Sequence, residues 1–245
     1  KANQQINENL NFKNRILGML SHELRSPLKI IGIFINRIIN KTNDDSIKEN
    51  LKSISFTNNT LLLQSNQILE YAKNQHVKNR LIPSIFDLKN EIEAIFTSIE
   101  AYIETRHNQF VTDIRIQQHL EVYSDNSKMH QIFMNIIGNA NKFTENGKIT
   151  VKTWTEIFDK DHVTLHASIS DTGAGISDSD LKNIFEEYYQ GSISNDIENL
   201  GAGLGLNLCK EIVELFSGKI SATSVLGQGT TISFSINLNL ANGFS

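Results

Sequence analysis

HQIFMNIIGNANKFT, residues 130–144, predicts a helix with one apolar face and one polar face. The helix is expected from about Asn126 to Thr144, and Asn146 with Gly147 would end it. Its apolar residues recur in steps of three and four: Met129, Phe133, Ile136, Ala140 and Phe143. Such a face needs a sheet or another helix to cover it, so this stretch predicts a layered domain.

Strands and helices are predicted to mix on both sides of this helix. The strands are expected at 110–116, 120–125, 148–158, 162–170, 219–225 and 229–238. Further helices are expected at 87–109, 177–189 and 204–216. Ser177, with Asp180 three residues later, predicts a capping-box variant. Because strict βαβ alternation is missing, we expect an α/β sandwich with helices on one face of a largely antiparallel sheet.

A hydrophobic repeat predicts a helical hairpin in the first seventy-odd residues. The first apolar seam is Leu17, Leu20, Leu24, Leu28, Ile31, Ile35 and Ile38. Residues 41–46 form a turn, and Asp45 or Ser46 is expected to cap the second helix. The second seam is Ile47, Leu51, Ile54, Leu61, Ile68 and Ala72, softened by Asn58 and Ser65. Two single-seam helices cannot bury both faces alone, so a homodimeric four-helix bundle is expected.

The predicted fold class is therefore α+β, with a hairpin domain at 1–76 and a sandwich domain at 77–245. A polar segment with one proline, 74–84, predicts the linker between them. The chain starts inside a helix-compatible stretch, so we expect it to be a piece of a longer protein.

Composition excludes several classes of function. The 245 residues are 39% hydrophobic and 20% charged, as in soluble globular proteins. A net charge of −4 disfavours binding to nucleic acid or to an anionic membrane. Cys209 is the only cysteine, which excludes a disulfide framework and a zinc cluster and fits a reducing compartment. No apolar run reaches the roughly 18 residues of a membrane span.

The polar face of the helix at 126–144 carries Asn135, Asn139 and Lys142. Two amides and one ammonium aimed the same way suit a hydrated magnesium ion and a polyphosphate. The alternative is a solvated polar face without a ligand.

DTGAGI, residues 171–176, follows a predicted strand. Asp171 at the strand end is placed to accept a hydrogen bond from an exocyclic amine, such as that of adenine. Gly173 and Gly175 allow backbone to approach a flat ligand closely. The alternative is a simple glycine turn.

NLGAGLGLNLCKEIV, residues 199–213, places three glycines before a helix: Gly201, Gly203 and Gly205. Free N–H groups and the positive helix terminus suit phosphate. The spacing is not that of the dinucleotide fingerprint, and no Walker lysine is present. The preceding QGSISNDIEN, residues 190–199, predicts a mobile lid.

SHELRSPL, residues 21–28, places a histidine on the first helix of the hairpin. His22 lies two residues from both Leu20 and Leu24, roughly 200° from each, so it is expected to face outward. Arg25 would repel a cation, which disfavours a metal site. An exposed surface histidine in a coiled coil is the alternative.

Together, and in this order, these motifs resemble those of bacterial sensor histidine kinases of the two-component type. SHELRSPL is similar to the phosphoacceptor box, HQIFMNIIGNANKFT to the asparagine box and DTGAGI to the first glycine box. IFEEYYQ (184–190) and GAGLGL (201–206) are similar to the phenylalanine box and the second glycine box. The resemblance covers nearly all of 12–240. It implies a dimeric phosphoacceptor hairpin followed by an ATP-binding domain of the histidine kinase/Hsp90-like ATPase type.

The resemblance assigns roles to these positions. His22 would be the nucleophile that takes the γ-phosphate of ATP, Glu23 would orient its ring, and Ser26 would stand where the family commonly has threonine. Asn139 would ligate Mg²⁺ with Asn135 nearby, and Lys142 would reach the phosphates. The remaining positions implied to bind the nucleotide are Phe143, Asp171, Gly173, Gly175, Ile176, Tyr189, Gly201, Gly203, Leu204, Gly205, Leu206 and Thr230.

The implied partners are a second copy of the chain and the receiver domain of a response regulator, whose aspartate would take the phosphoryl group. The parent protein would be a membrane-anchored sensor with this part in the cytoplasm, without nucleic-acid or membrane contact within this part. One departure is the stretch 186–199, which has no basic residue, although the family often carries one there. A degenerate kinase acting as a docking or phosphatase module, or a related ATPase, are the alternatives.

Overall fold

The computed structural model describes residues 19, 23–52, 54, 55, 57, 58, 61, 65, 81–104, 106–186, 189 and 205–241. The chain divides into two compact units, 1–79 and 80–245. Within the described ranges, no helix combines the length and the apolar character that a membrane crossing requires.

The first unit contains two helices joined by a short turn. Helix α1 covers 23–39 and continues through Pro27. Helix α2 begins at residue 45, and its described residues are 45–52, 54, 55, 57, 58, 61 and 65. Asp44 caps α2, because its Oδ1 accepts the backbone N–H groups of Ser46 at 2.9 Å and Ile47 at 3.2 Å. The expected cap at Asp45 or Ser46 is therefore wrong by one or two residues. The helix starts directly after the aspartate whose side chain reaches its first free N–H groups.

The apolar seam of the hairpin is only partly covered within one chain. Ile35 is buried, and so are the polar residues Asn58 and Ser65 of the second seam. Among the described residues the Asn58 amide has no hydrogen-bond partner, and a Cβ at Gly32 would lie 3.1 Å from its Nδ2 atom. Six seam side chains are each between 44% and 53% exposed: Leu24, Ile31, Ile38, Ile47, Ile54 and Leu61. Within the described part of this unit, these apolar side chains are therefore only half covered.

The second unit is a seven-stranded sheet with helices. Its elements are β1 Ser84–Asp87, α3 Leu88–Glu104, β2 Gln109–Arg115, β3 Glu121–Ser124, α4 Asn126–Lys142, β4 Lys148–Ile157, β5 His162–Asp171, α5 Asp178–Leu181, α6 Gly205–Leu215, β6 Lys219–Val225 and β7 Gly229–Leu240. The strand order is β1-β3-β7-β5-β4-β2, and β6 also pairs with β7. Among the strand pairs of the described residues, only β2 and β4 are parallel. The expected largely antiparallel sheet is confirmed.

The core lies between the helices and one face of the sheet. The Phe133 ring on α4 contacts Phe96 of α3 at 5.6 Å and Phe234 of β7 at 5.2 Å, both edge to face. On the other face, hydroxyl groups bond across strands, as Ser170 does to Thr231 at 2.8 Å. Because side chains alternate between the two faces of a strand, apolar residues lie against the helices and small polar residues lie on the open face.

Three sequence expectations for this unit are wrong in extent. Strand β1 was not predicted, since its four residues, SIFD, are too few to show alternation. The helix expected at 177–189 ends at Leu181, after which the chain turns through short bonds such as Asn183 N–H to Asp180 O. Helix α3 ends at Glu104, near His107, whose φ of 57° is left-handed.

Cys209 makes the unfolding of this unit measurable. It is fully buried in α6, and burial raises the pKa of its thiol to about 12. A soluble disulfide reagent at pH 8 is therefore expected to react at least about a thousandfold more slowly than with a model thiol, because only opened molecules react. The rate should match the model thiol in denaturant. Fast reaction without denaturant would contradict this burial.

Candidate functional site

Helix α4 is fixed at its first residue by Asp125. The Oδ1 atom of this residue accepts the N–H of Lys128 at 3.1 Å and the hydroxyl of Ser127 at 2.6 Å. Its Oδ2 atom accepts the N–H of Ile82 at 2.9 Å, from the segment before β1. The start of the helix is thus tied to the edge of the sheet.

The polar face of α4 is half-buried rather than fully solvated. Asn135, Asn139 and Lys142 each have intermediate exposure. The Asn135 amide faces α6, since a Cβ at Gly205 would lie 3.8 Å from its Oδ1 atom. Gly138 lies on the same face, and a Cβ placed there meets no described atom within 4 Å. This face therefore has room beside its amides for a ligand.

The end of α4 carries a cation next to an aromatic ring. The Lys142 Nζ atom lies 5.0 Å from the centre of the Phe143 ring, which is 44% exposed. Burial, and then the neighbouring Arg106 charge, lower the pKa of Lys142. The Arg106 guanidinium bonds the Lys142 carbonyl and so caps the last turn of the helix.

Asp171 ends strand β5 as a half-buried carboxylate. Its Oδ1 atom accepts the N–H groups of Gly173 at 2.9 Å and Thr230 at 3.3 Å. Burial raises the pKa of Asp171, although these two N–H groups and the nearby Thr144 hydroxyl oppose the rise. A carboxylate has about four acceptor positions, so at least one remains for an incoming donor. We call Phe143, Thr144, Asp171, Gly173 and Thr230 the Asp171 cluster.

The glycines around Asp171 allow contacts between segments of the protein itself. A Cβ at Gly173 would lie 2.2 Å from the Phe143 carbonyl oxygen, and one at Gly175, whose φ is 70°, would lie 2.2 Å from the Val225 carbonyl oxygen. Gly229, with φ of 108°, faces the Asp171 carbonyl oxygen in the same way at 1.9 Å. The immediate neighbours of these glycines are thus backbone atoms. For Gly173 and Gly175 the sequence had instead suggested close approach to a ligand.

Ser224 connects the segment after Asp171 to the end of the sheet. Its hydroxyl accepts the N–H of Ile176 at 2.8 Å and donates to the carbonyl of Gly229 at 2.8 Å. The Thr230 hydroxyl lies 2.9 Å away. Sequence reasoning missed Ser224, because a serine in a strand carries no signal of a partner such as Ile176, 48 residues away. It also missed Gly229 and Thr144, since neither residue type signals its neighbours in the fold.

Comparison with known proteins decides the family. Residues 12–77 match the family model of the His Kinase A (phospho-acceptor) domain. Residues 124–240 match that of the histidine kinase-, DNA gyrase B-, and HSP90-like ATPases. The chain belongs to the sensor histidine kinases of two-component systems. The predicted family and fold class are therefore confirmed.

Relatives of this histidine kinase are much longer proteins. The autoinducer 2 sensor kinase/phosphatase LuxQ of Vibrio vulnificus strain YJ016 is 33% identical over 96% of this chain and 28% of its own length. The signal transduction histidine-protein kinase BarA of Escherichia coli K12 is 29% identical over 98% of this chain and 26% of its own. The crystal structure of full-length ShkA in complex with AMPPNP has a TM-score of 0.62, 23% identity, and covers 94% of this chain and 47% of that one. The ShkA likeness shows the fold alone.

The histidine kinase motifs fall on both units. Asp171 of DTGAGI and Thr230, which the resemblance implied, lie in hydrogen-bond contact. Tyr189 donates its hydroxyl to the buried Asp180 at 2.5 Å, and this bond raises the pKa of Tyr189. Ser177 caps α5 by accepting the Asp180 N–H at 3.2 Å. Gly205 and Leu206 begin α6, half-buried.

The remaining predicted site residues belong to the hairpin or to the segment around the predicted lid. Glu23 and Ser26 are exposed on α1, in the first unit. His22, Gly201, Gly203 and Leu204 lie outside the described residues.

Proposed function

We propose that this histidine kinase transfers the γ-phosphate of ATP to His22 and then to an aspartate of a response regulator's receiver domain. Residues 1–76 act as the phosphoacceptor hairpin and 77–245 as the ATP-binding domain. The observation that carries the proposal is the Asp171 carboxylate, which two backbone N–H groups hold in place while an acceptor position remains for the adenine amine. Phe143, a member of the Asp171 cluster, directly follows Lys142 on the polar face of α4.

The α4 face fits the phosphates and a magnesium ion. Magnesium in nucleotide sites takes one or two protein oxygens and fills its remaining positions with phosphate oxygens and water. Asn139 supplies an amide oxygen, with Asn135 one turn away, and Lys142 supplies a positive charge. Mg²⁺, when bound, neutralises charge on the transferring phosphoryl group. Gly138 leaves space where a side chain would stand over this face.

His22 does the chemistry of transfer in this proposal. A neutral ring nitrogen attacks the γ-phosphorus in line, the new N–P bond forms, and the bond to the ADP oxygen breaks. Glu23 accepts the hydrogen bond of the other ring nitrogen and stabilises the positive charge that develops on the ring. The phosphoryl group then moves to the regulator's aspartate, which restores the neutral histidine.

The test is incubation of the chain with Mg²⁺ and γ-labelled ATP, followed by treatment of the labelled protein with acid and with alkali. Acid-labile, alkali-stable label is expected, as for phosphohistidine. Absence of label with ATP still bound would point instead to a docking or phosphatase module. Phosphate release without label would favour a related ATPase.

A second copy of the chain is proposed as the cover of the hairpin. The six half-exposed seam residues provide the apolar surface that a four-helix bundle buries. An Ile31→Asp variant is expected to weaken dimerisation by roughly a hundredfold or more, because a charge would enter the apolar seam. Light scattering across a dilution series measures this change. Lys29→Asp, off the seam and exposed, is the control; equal behaviour of the two variants would contradict the dimer.

A further inference from the structure

Two asparagines form a buried pair at the end of α4. Asn141 is 0% exposed and Asn108 is 4% exposed. A buried amide is costly unless its donors and acceptor are bonded, so both side chains must have partners. Asn108 lies outside the motifs, and Asn141 lies within HQIFMNIIGNANKFT but is not among the positions implied to bind the nucleotide.

The pair joins three segments of the backbone. The Asn108 Nδ2 atom donates to Asn141 Oδ1 at 2.9 Å and to the Thr144 carbonyl at 2.8 Å. Its Oδ1 atom accepts the N–H of Gly147 at 2.9 Å. Asn141 Nδ2 donates to the Tyr102 carbonyl on α3 at 3.1 Å. The end of α3, the end of α4 and the turn before β4 are thereby held together.

The segment that this pair holds is part of the Asp171 cluster. The Phe143 carbonyl accepts the N–H of Ala174 at 3.2 Å and is in closest contact with Gly173. The Thr144 hydroxyl would lie 2.8 Å from a Cβ at Gly173 and is buried beside the Asp171 carboxyl. Because the Ala174 bond to Phe143 and the Gly173 contact with Phe143 join main-chain atoms, a shift of residues 143 and 144 must be passed to 171–174.

We propose that Asn108 and Asn141 are positioning residues that hold Asp171 in register with the base of the nucleotide. They set the selectivity for adenine over hypoxanthine, whose nucleotide presents an oxygen where adenine presents an amine. The proposal rests on the proposed function, in which Asp171 accepts the adenine amine. A purely structural role would instead lower stability without changing the choice of base.

The experiment compares the dissociation constants of ATP and inosine triphosphate by calorimetry with Mg²⁺. Wild type is expected to prefer ATP, and Asn141→Leu is expected to reduce that preference at least about fivefold, since Asn108 loses its partner. Val163→Ala is the control: Val163 is fully buried at the far end of β5 and its loss lowers the melting temperature without touching the pair. Asn141→Ser, a milder change, is expected to move selectivity in the same direction if the leucine variant does not fold.

The outcomes separate the two proposals. A variant with a lower melting temperature and the wild-type ratio of the two dissociation constants would overturn the positioning role. Equal loss of selectivity in Val163→Ala would do so too. Wild type that binds neither nucleotide would overturn the proposed function, and this assignment with it. Wild type that binds both nucleotides equally would remove the amine-accepting role of Asp171.

Discussion

Replacing His22 by glutamine is expected to reduce incorporation of acid-labile phosphate from γ-labelled ATP to below about 1% of wild type. Glutamine keeps the polarity of the side chain but has no nucleophilic ring nitrogen. ATP affinity should not change, because the residues proposed to bind the nucleotide lie in the second unit. Gel autoradiography together with calorimetry on the same protein measures both quantities.

The control for this loss is His119→Gln. The His119 side chain is 91% exposed and belongs to none of the five motifs, so the His119→Gln variant should be labelled like wild type. Label that persists in His22→Gln would place the phosphoacceptor elsewhere. Loss of label in both variants would point to a general requirement for histidine that this mechanism does not contain.

Replacing Asp171 by asparagine is expected to weaken ATP binding by about 2–3 kcal/mol, roughly 30- to 150-fold. The asparagine Oδ1 atom would still accept the N–H groups of Gly173 and Thr230. Its Nδ2 atom would then face the adenine amine, so two donors would meet. Calorimetric titration with ATP measures the change, and Asp113→Asn is the matched control, since Asp113 is a carboxylate on β2 paired with Arg115. Unchanged affinity would mean that Asp171 does not read the base.

The same variant is expected to be at least as stable as wild type without nucleotide at neutral pH. Burial raises the pKa of Asp171 above its ordinary value of 3.8, so the folded protein binds this proton more tightly than the unfolded chain. The ionised carboxylate therefore costs stability above the folded pKa, and that cost disappears as the pH falls towards the ordinary value. Melting curves at pH 7 and pH 4 should show the advantage of Asp171→Asn shrinking at the lower pH. A gap that widens on acidification would contradict the raised pKa.

The pKa of Asp113 is shifted in the opposite direction to that of Asp171, so its effect on stability has the opposite dependence on pH. Its hydrogen bond and ion pair with Arg115 lower the pKa of Asp113, against a smaller effect of burial. The contribution of such a group is present above its ordinary pKa and is lost as the pH falls through the lowered one. Because Asp113 is only partly buried and its partner Arg115 is exposed, that contribution is small.

Much of the fold could be predicted because alternation and helical spacing are local. The strands β4 and β5 show the period of two over ten residues each, and their pairing around a short turn follows directly. β1 has four residues and no such pattern. The left-handed turns at His107 and Ser217 were also not foreseen, since neither residue type signals that backbone. The cap at Asp44 lay one residue before the expected positions.

The residues of the candidate site also divide into those that a local motif predicts and those that meet only in the folded structure. Asp171 and the α4 amides lie in motifs that point to a ligand, and Thr230 was implied by the family resemblance. Asn108 and Asn141 are separated by 33 residues and meet only because α3, α4 and β4 converge. No local pattern encodes that meeting, just as none encodes Ser224 against Ile176. The sequence signals residues with a chemical purpose more readily than residues that hold others in place.

The glycines at 173, 175 and 229 have a thermodynamic consequence for recognition. Their contacts join main-chain atoms at distances that leave no space for a Cβ, so no rotamer can change to absorb a displacement. The region around Asp171 is therefore ordered before any ligand arrives. A ligand that binds there has little conformational entropy to remove from the protein, and its hydrogen bond to Asp171 contributes to affinity almost undiminished.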